Sequence, residues 1–314
     1  MRRCKPLRGR IEFEVGVVMT KKNAFPRTDW SRRDILQLST LGLAALAFGR
    51  RAHGAGESIP ISVQLYSVRN DCAQDFDKAL ERVAKMGFQG VEFAGYHTYN
   101  GKPKELKQRL ADLGLKAAGT HIGAGQLEGD NLQRTIDFHA QIGCKFLIVP
   151  GDGDFTNPDK HKQFAERLSK AAAALKPHDM YCGYHNHTHE FSKLDGKTYW
   201  DHFAENTTKD VVLQQDVGWT THAGVDPVEL IRKYPGRSRI IHFKPDVPEG
   251  VEGKTPIIGQ DAVNWKGIIE ACYDVGATEW FTIEQEWYPQ GVSPMAATEM
   301  SLVGLKKILA DMGK

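Results

Sequence analysis

The chain has 314 residues, of which 41% are hydrophobic, 25% charged and 9% aromatic. That profile is globular and excludes a disordered or fibrous chain. Formal net charge is +2, yet residues 1–56 hold twelve basic and four acidic side chains, leaving 29 basic and 35 acidic beyond them. A mildly acidic body argues against nonspecific nucleic-acid binding, which needs a basic surface. No nucleic-acid partner is expected.

Residues 1–56 read as a targeting segment. Ser31-Arg32-Arg33-Asp34-Ile35-Leu36 places a twin arginine directly before an apolar run from Ile35 to Phe48. That run is too short and too weakly apolar to span a bilayer, which takes about 20 apolar residues. Small residues at Ala52, Gly54, Ala55 and Gly56 offer a cleavage site. The segment resembles a twin-arginine signal peptide, and Arg50 and Arg51 between the run and the cleavage site suit that route. Met19 begins a more typical leader, so residues 1–18 read as an over-extended start. The expectations are engagement with the twin-arginine export machinery, a periplasmic location and no stable membrane insertion.

From residue 57 onward, strand and helix patterns alternate. Expected strands are Ile59–Tyr66, Gly90–Phe93, Leu115–Thr120, Cys144–Val149, Met180–Tyr184, Val211–Gln215, Arg239–Phe243 and Trp280–Ile283. Expected helices are Phe76–Met86, Lys104–Leu113, Leu132–Ile142, Lys160–Leu175, Thr198–Glu205, Pro227–Lys233, Trp265–Val275 and Ala296–Ala310. Glycine follows several of these helices, a common stop signal. Eight strand–helix units over about 255 residues match one (β/α)8 barrel, a TIM barrel, over residues 57–314. A doubly wound sheet would carry a glycine-rich turn after its first strand, and Tyr66-Ser67-Val68-Arg69 stands there instead. Cys72, Cys144, Cys182 and Cys272 read as buried free thiols.

Barrel active sites lie at the C-terminal ends of the strands, and the ionisable residues of this chain collect there. Strand two carries Glu92 and strand three ends near His121. Strands five to eight each terminate near a group able to bind metal: Glu190, Asp216, His242 and Glu284. Three carboxylates and one imidazole suit one divalent ion, Mn2+ first, with Mg2+, Co2+ and Zn2+ as alternatives. His185, His187 and His189 alternate along an extended segment and need not converge on one ion. Glu286 lies two residues beyond Glu284 and is the residue most easily confused with it.

Four stretches, YHNHTHEF at 184–191, QDVGWTTHAGVDP at 215–227, HFKPD at 242–246 and IEQEW at 283–287, make the sequence recognisable. The chain resembles the xylose isomerase-like TIM barrels, specifically the sugar phosphate isomerase/epimerase family, over residues 59–312. The resemblance implies Glu190, Asp216, His242 and Glu284 as metal ligands, with Glu190 and Glu284 as the acid/base pair. It is also compatible with a homodimer. Trp219, where many members have a small residue or His, and Pro245, added to the usual HxKD pattern, depart from the best-known ketose epimerases.

The chemistry implied is proton abstraction next to a sugar carbonyl, through an ene-diolate held by the metal. Return of the proton gives an isomerase or epimerase, the first expectation. Loss of a β-substituent gives a lyase or hydratase on an oxidised sugar, such as a 3-keto-glycoside or an inosose. A non-catalytic periplasmic sugar-binding protein is a third reading. His121, His187, Trp219, His222 and Lys244 are expected around a small-molecule carbohydrate substrate. Lys244 has two readings, a donor to a substrate oxygen or a cation balancing the carboxylates, and Glu92 is a supporting or pocket residue. Scarcity of phosphorylated sugars outside the cytoplasm favours an unphosphorylated substrate.

Overall fold

The computed structural model describes residues 58–314. The leader read from the sequence lies outside the described residues. Eight parallel strands form the barrel: β1 Ile61–Gln64, β2 Gly90–Phe93, β3 Lys116–His121, β4 Phe146–Val149, β5 Tyr181–His185, β6 Val212–Gln214, β7 Ile240–Phe243 and β8 Trp280–Ile283. Sequence neighbours pair from β1 to β6, β7 pairs with β8, and β8 pairs with β1 through Ile61–Phe281, Ser62–Thr282 and Val63–Ile283. The last seam, between β6 and β7, is closed by one parallel bridge between Asp216 and His242. There the His242 N–H donates to Gln215 O at 2.9 Å.

The helices are α1 Phe76–Met86, α2 Pro103–Leu113, α3 Gly129–Ile142, α4 His161–Leu175, α5 Tyr199–Asn206, α6 Pro227–Lys233, α7 Trp265–Ala271 and α8 Pro294–Asp311. Local chemistry sets their ends. Asp75 caps α1 by accepting from the Lys78 N–H, and Gly87, at φ +90°, ends it in the left-handed region. The sequence reading runs the seventh helix to Val275, whereas regular α structure stops at Ala271 and a π turn covers Cys272–Gly276. Two short helices, Arg69–Gln74 and Val217–His222, and a hairpin pairing Lys193–Leu194 with Lys197–Thr198 were not expected. All are loop insertions between barrel elements. The four body cysteines are buried free thiols. Among the described residues, no helix is long and apolar enough to cross a membrane.

Alternation along each strand divides the core in two. Outward residues such as Val63, Val91, Leu147, Ile241 and Phe281 pack into the large apolar layer under the helices. Inward residues fill the barrel. Phe146, Ile148, Val212 and Ile240 form a separate apolar cluster, with Tyr181 and Trp280 packed on it. Toward the C-terminal end the inward positions turn polar and remain buried: Gln64, Glu92, Gln214 and His242 are all 0% exposed.

Glycine at inward positions makes room for these side chains. A Cβ on Gly183 of β5 would stand 2.3 Å from the Val212 carbonyl oxygen and 2.7 Å from the Val212 Cβ. Gly183→Ala is therefore expected to force β5 and β6 apart and to lower stability by about 1–3 kcal/mol, the usual range for overpacking. Urea unfolding checks this, through a lower midpoint at an unchanged slope.

Candidate metal centre and cleft

On the last four strands the inward alternation carries a polar side chain to the mouth. On β5 Gly183 and His185 point inward. On β6 and just beyond it these are Gln214 and Asp216, on β7 Ile240 and His242, and on β8 Thr282 and then Glu284. His185, Asp216, His242 and Glu284 consequently meet, with one donor atom from each lying within 4.8 Å of the others, and all four are buried. Three of these are residues expected from the sequence. The fourth is His185, where the sequence reading put Glu190.

The reason lies in the strand. Tyr184 and His185 are adjacent on β5 and point to opposite sides of it. Tyr184 points outward and stacks on Phe155, with ring centroids 4.0 Å apart. After β5 a turn at His189–Phe191 folds Glu190 back on that outer side, where its Oε1 accepts from the Tyr184 hydroxyl at 3.1 Å. Its Oε2 accepts from the His187 backbone N–H at 2.8 Å. Glu190 is buried, but it belongs to a different cluster, with His187 and His189.

Asp216 shows how a donor atom is kept available. One oxygen, Oδ1, accepts from the Trp219 N–H at 2.8 Å and so caps the helix Val217–His222. The other, Oδ2, is buried with no hydrogen-bond partner, as is Nδ1 of His185. Orphaned buried acceptors of this kind are costly unless something binds them.

Glu92 orients His242 from across the barrel. Its Oε2 contacts His242 Nε2 and accepts from Gln64 Nε2 at 2.9 Å. Its Oε1 accepts from Gln214 Nε2 at 2.7 Å. His121 Nε2 donates to Gln214 Oε1 at 2.8 Å, with that tautomer fixed by the amide. With Nε2 committed to Glu92, His242 turns Nδ1 toward Glu284 Oε2, 3.0 Å away, and Asp216 Oδ2, 3.9 Å away. A carboxylate behind a ligand imidazole fixes its tautomer and raises its basicity. In this geometry Glu92 stands behind His242 and does not itself join the four-donor cluster.

Electrostatics at the cluster demand positive charge. Burial opposes protonation of His242, yet Glu92 and Glu284 outweigh it and raise its pKa to about 10. Burial pushes the Asp216 carboxyl up to about 7. Glu284 is buried as well, but Lys244 and His242 hold it well below the usual carboxylate range. Burial, then the neighbouring His242, pushes His185 well below its ordinary value. Two imidazoles and two carboxylates, with His185 Nδ1 and Asp216 Oδ2 unpartnered, fit a divalent cation.

A cleft of about 820 Å3 opens at this end of the barrel, lined among others by His121, His185, His187, Glu284 and Glu286. His121 and His187 therefore face the space where the sequence reading expected substrate. Lys244, Trp219 and His222 pack beside it. Lys244 is fully buried, pairs with Glu286, and stands 3.8 Å from Glu284 Oε2. Its Nζ lies 4.4 Å from the Trp219 ring centre and 5.1 Å from that of Trp287. Lys244 thus sits as a buried cation among Glu284 and Glu286. His222 Nδ1 sits 3.2 Å from Asp246 Oδ1. The β8 strand ends at Ile283, after which Gln285 is buried and hydrogen-bonded to Ser301, while Glu284 and Glu286 on either side of it share Lys244 and only Glu284 joins the four-donor cluster.

His185→Ala and Asp216→Ala are expected to abolish high-affinity binding of a divalent cation at this cluster, and Glu190→Gln to leave it. Glu92→Gln should weaken it by about 10- to 100-fold, as loss of an orienting partner does. Titration with Mn2+ as an EPR probe reads all four.

A family model, the xylose isomerase-like TIM barrel, matches residues 80–307. An inosose dehydratase from Geobacillus kaustophilus is 21% identical over 262 residues, covering 72% of this chain and 84% of that protein. A sugar phosphate isomerase/epimerase from Parabacteroides distasonis superposes with a TM-score of 0.66 at 25% identity, over 80% of this chain and 98% of that one. An L-ribulose 3-epimerase shares the fold at a TM-score of 0.61 and 15% identity, over 82% and 97% of the two chains. With its eight-stranded parallel barrel and a family match across most of its length, the chain belongs to the xylose isomerase-like TIM barrel family.

Proposed function

We propose that the protein is a divalent-metal lyase that removes the proton next to the carbonyl of a keto-sugar or cyclitol ketone and expels water from the adjacent carbon. One observation carries this reading. Among the described residues, Glu284 is the only carboxylate that both belongs to the four-donor cluster and lines the cleft. When bound, a cation there polarises the carbonyl and offsets the charge that develops as the proton leaves, and the two carboxylate donors favour Mn2+ among the ions that fit.

The chain's own residues do the rest. Glu284 is held ionised against its burial by Lys244 and His242, so it can accept the α-proton. It then returns that proton to the departing hydroxyl on the same face. A C–H bond and a C–O bond break, a C=C bond forms, and water leaves in a syn elimination. Epimerisation needs a second acid/base on the opposite face. The oxygens of Glu190, expected there from the sequence, are occupied by Tyr184, the His187 N–H and His189. Tyr66, Asn100 and Gln126 also line the cleft and offer partners to the hydroxyls of a polyol. Similarity to inosose dehydratases supports the same outcome. The resemblance of residues 1–56 to a twin-arginine leader supports a periplasmic activity on an unphosphorylated substrate.

Incubation with inososes and 3-keto-glycosides in D2O, followed by NMR, tests this. Loss of water with formation of an unsaturated ketone is expected. Glu284→Gln should slow it by about 10²- to 10⁴-fold, the usual cost of losing a general base. An inverted, deuterated carbon without water loss would instead establish the epimerase reading, and binding without exchange a sugar-binding protein.

A further inference from the structure

The histidines of the segment after β5 do not act as one group. His185 turns inward to the four-donor cluster, whereas His187 and His189 project from the loop beyond it. Their rings lie nearly parallel, 14° apart in plane, with centroids 5.9 Å apart. Beside them lies the carboxylate of Glu190, which is fully buried.

The three side chains converge. Glu190 Oε1 is 3.1 Å from His189 Nε2 and 4.0 Å from His187 Nδ1. One donor atom from each residue lies within 4.8 Å of the other two. The carboxylate is positioned from behind, by the Tyr184 hydroxyl on Oε1 and the His187 backbone N–H on Oε2. Such outer partners commonly orient ligating carboxylates. A histidine–glutamate ion pair alone does not complete this arrangement. His187 Nδ1 is buried and has no hydrogen-bond partner, and at 4.0 Å it is too far from Oε1 to gain one. A cation between the three would satisfy that nitrogen and neutralise the buried carboxylate.

We propose that His187, His189 and Glu190 bind a second divalent cation, a borderline ion such as Zn2+, at the rim of the cleft. Two imidazoles and one carboxylate are the ligand set of an open zinc site that keeps a further position for water or another oxygen ligand. His189 is half exposed, which gives the ion a route in from solvent. His187 also lines the cleft, so the open position lies at the edge of the space where substrate would enter.

The test is metal stoichiometry of the mature protein, stripped and dialysed against limiting Zn2+, then assayed by elemental analysis. Because the four-donor cluster can also take Zn2+, the measurement is made in wild type and in Asp216→Ala. His189→Ala is the diagnostic change, since the side chain is exposed and its loss leaves no cavity. His178→Ala, another exposed histidine, controls for surface binding. The expected result is loss of one equivalent on His189→Ala in both backgrounds, matched by Glu190→Gln, with His178→Ala unchanged and circular dichroism intact. Retention of the same equivalents after His189→Ala would overturn the rim site. If Asp216→Ala retains every equivalent, the four-donor reading fails, while the His189→Ala comparison still decides this one.

Discussion

The interior of this barrel depends on one contact, that between Glu92 of β2 and Nε2 of His242 of β7. Both side chains are completely buried, and an isolated charge at such depth would be prohibitive. Their mutual pairing makes the polar layer tolerable, and everything above it is placed by that pairing. Gln64 and Gln214 close on the two Glu92 oxygens. Gln214 in turn engages His121. The imidazole, held by one nitrogen, aims the other at Asp216 and Glu284. The same His242 closes the barrel, since its bridge to Asp216 joins β6 to β7. Site and seam are thus one structure, and a change that frees His242 should loosen both.

Much of the fold is legible in the sequence because period and punctuation agree. The segments Gly90–Phe93, Phe76–Met86 and Pro227–Lys233 have the same limits in the sequence reading and in the structure. Each is bounded by a glycine, a capping aspartate or a proline, whose backbone preferences act locally. The additional short helices are less visible. Val217–His222 has too few turns to show an apolar stripe, and its start depends on the Asp216 side chain, which the sequence reading had assigned only to metal. The π turn at Cys272–Gly276 continues an apolar helical pattern with a wider hydrogen-bond repeat, a difference that spacing of side chains hardly records.

For the site, the strand ends were readable and the choice of residue on β5 was not. Asp216, His242 and Glu284 each sit in step with an inward residue two positions earlier. The same count from Gly183 reaches His185. A carboxylate at 190 matches the resemblance, yet Glu190 lies five residues past the strand, where alternation no longer decides direction. Its fate is set by a tertiary contact, the Tyr184 hydroxyl, with no local signature. Lys244 is a similar case. Its burial between Trp219 and Trp287 and its pairing with Glu286 come from three separate segments. Glu92, by contrast, follows the strand's alternation: its neighbours Val91 and Phe93 pack in the outer apolar layer, and Glu92 is buried on the opposite side.

The central claim is that His185, Asp216, His242 and Glu284 form one cation site, with Glu190 outside it. Crystals of the protein grown with Mn2+ and measured at the manganese absorption edge test it directly. The account predicts a strong anomalous peak at the barrel mouth, with donor atoms of His185, Asp216, His242 and Glu284 at about 2.0–2.3 Å, the range for nitrogen and oxygen ligands of such ions. A peak ligated by Glu190 in place of His185, or the absence of any peak within reach of Asp216 and His242, would contradict it.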